Sequence, residues 1–163
     1  MKKVVLASVM AASFLSASAM AADPTATLVW QGFVPNKVTG DSLIITGLGG
    51  QENIAKGTLN VQADGTFNSD AIIVESHAYD SAAETIGDLT AANWKLVSAN
   101  LTMGSTDVTP ATLEVSVNGA KVEVGGAIDG VDTLNTTVSQ TTPLTDATGQ
   151  AQVSVTYVAS AAA

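Results

Sequence analysis

Between Ala26 and Ala159 apolar residues return at every second position in short runs. Gly, Asn and Asp break each run before it reaches helical length. A period of two matches the strand pleat, where successive side chains point to opposite faces. Runs of Val, Ile, Leu and Thr place strands near 26–35, 42–48, 57–63, 71–78, 93–102, 111–118, 120–125, 131–138 and 150–159. Many short strands separated by turn residues predict an all-β antiparallel sandwich.

The sharpest local signal is "TLEVSVNGAKVEVG", residues 112–125. Asn-Gly favours a two-residue hairpin turn with positive φ at both positions. That turn sets Val117 opposite Ala120, Val115 opposite Val122 and Leu113 opposite Val124, all six on the core face. Glu114 and Glu123 then oppose each other on the other face, which must be solvated because like charges across strands repel. A one-residue slip would bury both carboxylates, so the register is firmly set.

One stretch breaks the strand pattern. In "YDSAAETIGDLTAA", residues 79–92, Ser81 and Glu84 have the spacing of a helix capping box. Gly87 and the short length weigh against a helix, and a loop or single helical turn between strands stays open. No repeat of 20–50 residues is visible, which disfavours solenoids and propellers.

Lys2 and Lys3, the apolar run Val4 to Leu15 and the small-residue ending "SASAMA" form an export signal. Ala19 and Ala21 satisfy the small-x-small rule, which places cleavage after Ala21 and leaves 142 of 163 residues. The apolar run falls short of the roughly 20 residues a membrane span needs. Cysteine is absent, so thiol chemistry and disulfides are excluded and packing must stabilise the domain. Cleavage would leave four lysines, no arginine and fifteen acids, a net charge of −11. Such a surface argues against nucleic acid and anionic membranes, and favours solubility during export.

Candidate chemistry is sparse. His77 is the only histidine and has no cysteine to share a metal, so it reads as structural or surface. No G-x-S-x-G nucleophile turn occurs. "GLGG" at 47–50 and "GGAIDG" at 125–130 lack the G-K-[ST] of a phosphate loop. Asp129 and Asp132 supply too few oxygens for calcium. The aromatics Trp30, Phe33, Phe67, Tyr79, Trp94 and Tyr157 are too scattered for a stacking platform; Trp94 reads as core, and a sugar-binding role for it stays open. No catalytic residues, cofactor or metal are expected.

The segment "TLVWQGFVP" puts Leu28, Trp30, Gly32 and Val34 on one strand face. A central glycine weakens a strand and usually marks close backbone approach. This pattern resembles the N-terminal extension of chaperone–usher pilins, where apolar residues alternate around a central glycine ahead of an incomplete immunoglobulin-like domain. "W-Q-G-x-V-P" is similar to the cysteine-free major subunits of colonisation-factor fimbriae of enterotoxigenic enterobacteria. The segment "GQAQVSVTYVA", with Val153, Val155 and Tyr157 on one face, resembles the family's C-terminal strand, which engages a periplasmic chaperone. Two features depart from the family. The disulfide of many members is missing, and Tyr157 lies further from the C-terminus than their tyrosine.

The resemblance implies a signal peptide at 1–21, a donor-strand extension at 22–35 and an immunoglobulin-like pilin domain at 36–163. The sandwich would be incomplete, and a donor strand from a neighbouring subunit would complete it by strand addition. Leu28, Trp30 and Val34 would fill pockets, and Gly32 would sit where the groove is narrow. The protein would be a non-enzymatic major subunit of an extracellular fimbrium serving cell adhesion. Its partners would be identical subunits, a periplasmic chaperone, an outer-membrane usher and, where the subunit itself adheres, a host-cell receptor. The alternative is a secreted or periplasmic monomeric β-sandwich binding module, in which residues 26–35 pair within their own chain.

Overall fold

The computed structural model describes residues 23–30, 38–40, 42–104, 106–110, 112–144 and 149–162. Among them the chain forms β1 (Thr25–Trp30), β2 (Val38–Thr39), β3 (Leu43–Gly47), β4 (Leu59–Val61), β5 (Phe67–Ser69), β6 (Ile72–Asp80) and β7 (Thr85–Leu89). It continues through β8 (Ala92–Met103), β9 (Thr106–Asp107), β10 (Leu113–Val117), β11 (Ala120–Val122), β12 (Ala127–Val131), β13 (Thr133–Gln140) and β14 (Ala151–Ala161). No described residue is helical.

The strands form two antiparallel sheets. One has the order β1-β14-β8-β12, with β9 on β8; the other runs β11-β10-β13-β6-β3-β2, with β7 on β6, β5 on β13 and β4 on β5. Inner residues of both sheets meet in one core, with Leu28, Trp94, Leu96, Val155 and Tyr157 from the first and Leu43, Ile45, Val74, Val115, Leu134 and Val138 from the second. This architecture is that of a β-sandwich, with a polar outer face wherever alternation is clean. β14 is the clearest case: Ala151, Val153, Val155, Tyr157 and Ala159 are buried while Gln152, Ser154, Thr156, Val158 and Ser160 are half-buried.

The Asn118–Gly119 hairpin forms in the expected register, Val117 opposite Ala120 and Val115 opposite Val122. Asn118 and Gly119 have φ of 51° and 81°, the left-handed pair that this turn requires. The Asn118 side chain donates from Nδ2 to the Thr133 carbonyl and accepts the Asn135 N–H, fixing the turn to β13. The expected core face needs correction at its ends. β11 stops at Val122, Ala120 is exposed, and Val124 is 58% exposed. On the other face Lys121 lies between the two carboxylates, 3.1 Å from Glu114 and 3.2 Å from Glu123. Its hydrogen bonds to Glu114 and then to Glu123 hold the ammonium above the usual lysine range.

Three further corrections concern the strand pattern. The segment with a capping-box spacing is no helix: its second half is β7, paired with β6. The Asp80 carboxylate, rather than Ser81, takes the Ala82 and Ala83 amides, and Glu84 turns the chain at φ 53°. Such a side-chain turn competes with helix nucleation. The expected strand at 131–138 is β13, which pairs with β6 and β10, and an unexpected strand precedes it: β12, Ala127–Val131, pairs with β8 before the chain passes between sheets at Asp132. In β8 a bulge at Val97 changes the inward phase, so Trp94 and Leu96 are buried before it and Leu101 and Met103 after it.

A Cβ added at Gly119 would meet nothing within 4 Å, so the cost of a substitution there is mainly backbone strain at its positive φ. Gly119→Val should lower the free energy of urea unfolding by about 1–3 kcal/mol, with an unchanged m-value. An unaltered midpoint would contradict the left-handed turn.

Candidate functional site, a groove for the first strand

The first strand pairs with β14 of its own chain. The antiparallel register runs Thr25 to Val158, Ala26 to Tyr157, Leu28 to Val155 and Trp30 to Val153. A hydrogen bond from the Ala159 amide to the Pro24 carbonyl, 2.8 Å, extends this contact. Residues directly opposite share a face, so Ala26, Leu28 and Trp30 lie beside Tyr157, Val155 and Val153. All six are fully buried. The structure thus brings together two sets of residues that the sequence singled out separately, Leu28 with Trp30 and Val153, Val155 with Tyr157. Gly32 and Val34 lie outside the described residues, as do Ala19 and Ala21.

Ala26 belongs to the same inward row but was missing from the sequence-based set. Its parity with Leu28 and Trp30 was the available signal, masked by the small size of its side chain.

Trp30 marks the other wall of the groove. Its backbone forms a parallel bridge with Gly57, and its indole Nε1 donates to the Asp70 carbonyl at 3.1 Å. Gly57 is buried, and a Cβ there would run into Trp30 Cδ1 and Nε1. The described close approach of a glycine to this strand therefore involves Gly57, on the receiving wall. Thr58 and Asp70 secure that wall: the Thr58 amide donates to Asp70 Oδ1 at 2.6 Å, and the Asp70 amide to the Thr58 carbonyl at 3.2 Å. Nothing in the polar stretch "AKGT" signals this role in sequence, because the contact partner is 27 positions away.

At the opposite end of the row, Tyr157 crosses the core. Its hydroxyl lies 3.3 Å from Thr136 Oγ1 on β13, a polar link between the two sheets. Burial pushes its phenol up to about 12, partly offset by the Thr136 hydrogen bond.

A second buried polar cluster lies away from the groove. Glu75 Oε2 accepts the Gly49 and Gly50 amides at 2.8 and 3.1 Å and sits 3.1 Å from His77 Nε2. His77 Nδ1 donates to the Gly87 carbonyl, 3.0 Å away. The histidine is structural: with Glu75 it ties the 49–50 loop and β7 to β6. Trp94 is core, with its indole donating to the Val131 carbonyl at 2.9 Å. Among the described residues no three His, Cys, Asp or Glu side chains gather as a metal site.

No family model matches the chain, and no curated protein or solved structure matches it.

The tyrosine provides a pH test. A phenol at about 12 in the fold, against 10 ordinarily, binds its proton more tightly in the native state than in the unfolded one. Its stabilisation is complete below pH 10 and is lost as pH rises from 10 through 12, about 2–3 kcal/mol in all. Tyr157→Phe should flatten the fall in unfolding free energy over this window. An identical fall in the variant would show that Tyr157 does not carry it.

Proposed function

We propose that this chain is a structural subunit of a chaperone–usher fimbrium, an immunoglobulin-like pilin that polymerises by giving its first strand to the groove of another copy. The observation that carries the proposal is β1 itself. It supplies three fully buried residues to the core, and its described main-chain pairing is with β14 and, by one bridge, Gly57. A strand that lies along a groove in this way can lie in its own groove or in that of a second copy. A head-to-tail donation of this kind does not close and yields a filament. Backbone hydrogen bonds supply the pairing, and burial of each large apolar side chain contributes roughly 1.5–3 kcal/mol. The resemblance of "TLVWQGFVP" and "GQAQVSVTYVA" to pilin termini supports the same reading. The chaperone, the usher, export through the periplasm and adhesion belong to the proposal through that resemblance.

One observation favours the alternative, a monomeric β-sandwich binding module: β1 lies in its own chain's groove. The two readings share the core and differ in whether β1 leaves it.

The geometry provides a test of the groove. β14 ends at Ala161 beside the start of β1, since Val158 faces Thr25. A short flexible linker after Ala163 could therefore return a copy of residues 22–36 to the same position as a hairpin. A version lacking residues 22–35 should unfold without cooperativity. The same version with the strand appended should melt cooperatively at far higher temperature. Equal stability of the two would make the strand dispensable and overturn the strand-donation proposal.

A further inference from the structure

We infer that the notch formed by Gly57, Thr58 and Asp70 is the specificity determinant of the groove. It admits an extended strand from a second copy of this chain only when tryptophan occupies the third inward position. This inference rests on the strand-donation proposal and adds which strand the groove takes and in what register.

The three inward side chains of β1 are held differently. Ala26 and Leu28 are held by apolar burial, which is non-directional and tolerates other aliphatic shapes. Trp30 is held by shape and by one directed bond. The indole lies where Gly57 lacks a side chain, and its N–H reaches the Asp70 carbonyl. Of the large apolar side chains only tryptophan brings both a wide ring and an N–H donor. The Thr58–Asp70 hydrogen bonds brace the acceptor, so the wall is formed by paired backbone and a carboxylate.

Register follows from the same contact. A two-residue slip keeps the alternation of faces. It would place Leu28 in the notch, leave the Asp70 carbonyl without the indole donor and leave the wide space above Gly57 partly empty. Both effects are unfavourable in a buried site. Alternation thus selects the face, and the notch selects the position along the groove.

The test uses the whole chain refolded from denaturant with a labelled peptide of the sequence of residues 23–36. The peptide is supplied at about millimolar concentration to compete with a tethered strand. Uptake is read by fluorescence anisotropy after removal of free peptide. The wild-type peptide should be retained, and peptides carrying Trp30→Phe or Trp30→Leu should bind at least about tenfold more weakly. A Leu28→Ile peptide should stay within a few-fold of wild type. In the chain, Gly57→Ala should reject the wild-type peptide and accept a Trp30→Ala peptide. Should that variant fail to fold, the peptide series on the unaltered chain decides alone. Equal retention of the tryptophan, phenylalanine and leucine peptides would overturn the notch while leaving strand donation standing. Retention of none, the wild type included, would overturn strand donation and the notch with it.

Discussion

The contact between β1 and β14 closes one side of the core of this sandwich. β14 is the second strand of its sheet, between β8 and the edge strand β1. Its inward row of Val153, Val155 and Tyr157 is fully buried with Leu28 and Trp30 alongside. Remove β1 and one edge of β14 loses its backbone partners, while the core loses an indole and a leucine at once. An unpaired apolar edge is an invitation to another strand. In the structure β1 covers that edge.

Polar contacts tie the sandwich together, two of them beside that groove and one away from it. The Tyr157–Thr136 contact links the sheets beneath the β1 row. The Thr58–Asp70 pair braces the side that faces Trp30. On β6, Glu75 gathers the Gly49 and Gly50 amides and the His77 ring, so a carboxylate that would be costly alone is buried with partners. The chain contains no disulfide-forming residue. These buried polar contacts tie loops and sheets together alongside the apolar core.

What the sequence made legible follows from how local each signal was. The register of the Asn118–Gly119 hairpin beside its turn could be read because the turn chemistry dictates the pairing, but not where β11 stops at Val122. The inward rows of β1 and β14 could be read because alternation there is unbroken. Elements set by distant contacts could not. β7 is a largely exposed strand with little alternation, and the Ser81–Glu84 spacing imitates a helix cap whose amides Asp80 takes instead. The phase change in β8 was visible only as the five-residue step from Leu96 to Leu101, which a bulge explains once the partner strand is known. Gly57 could not be found without the fold. A glycine between a lysine and a threonine looks like any loop until an indole is seen above it.

The measurement that tests the central claim most directly exploits the absence of cysteine. Thr27 of β1 and Thr156 of β14 are directly opposite partners. With both replaced by cysteine, a disulfide reports which chain's first strand lies on which chain's β14. Expressing cells are oxidised, and the protein is run denatured without reductant. Strand donation predicts a ladder of covalent multimers that collapses to one band on reduction. A single monomer band, with the disulfide closed inside each chain, would contradict it and establish a self-completed sandwich.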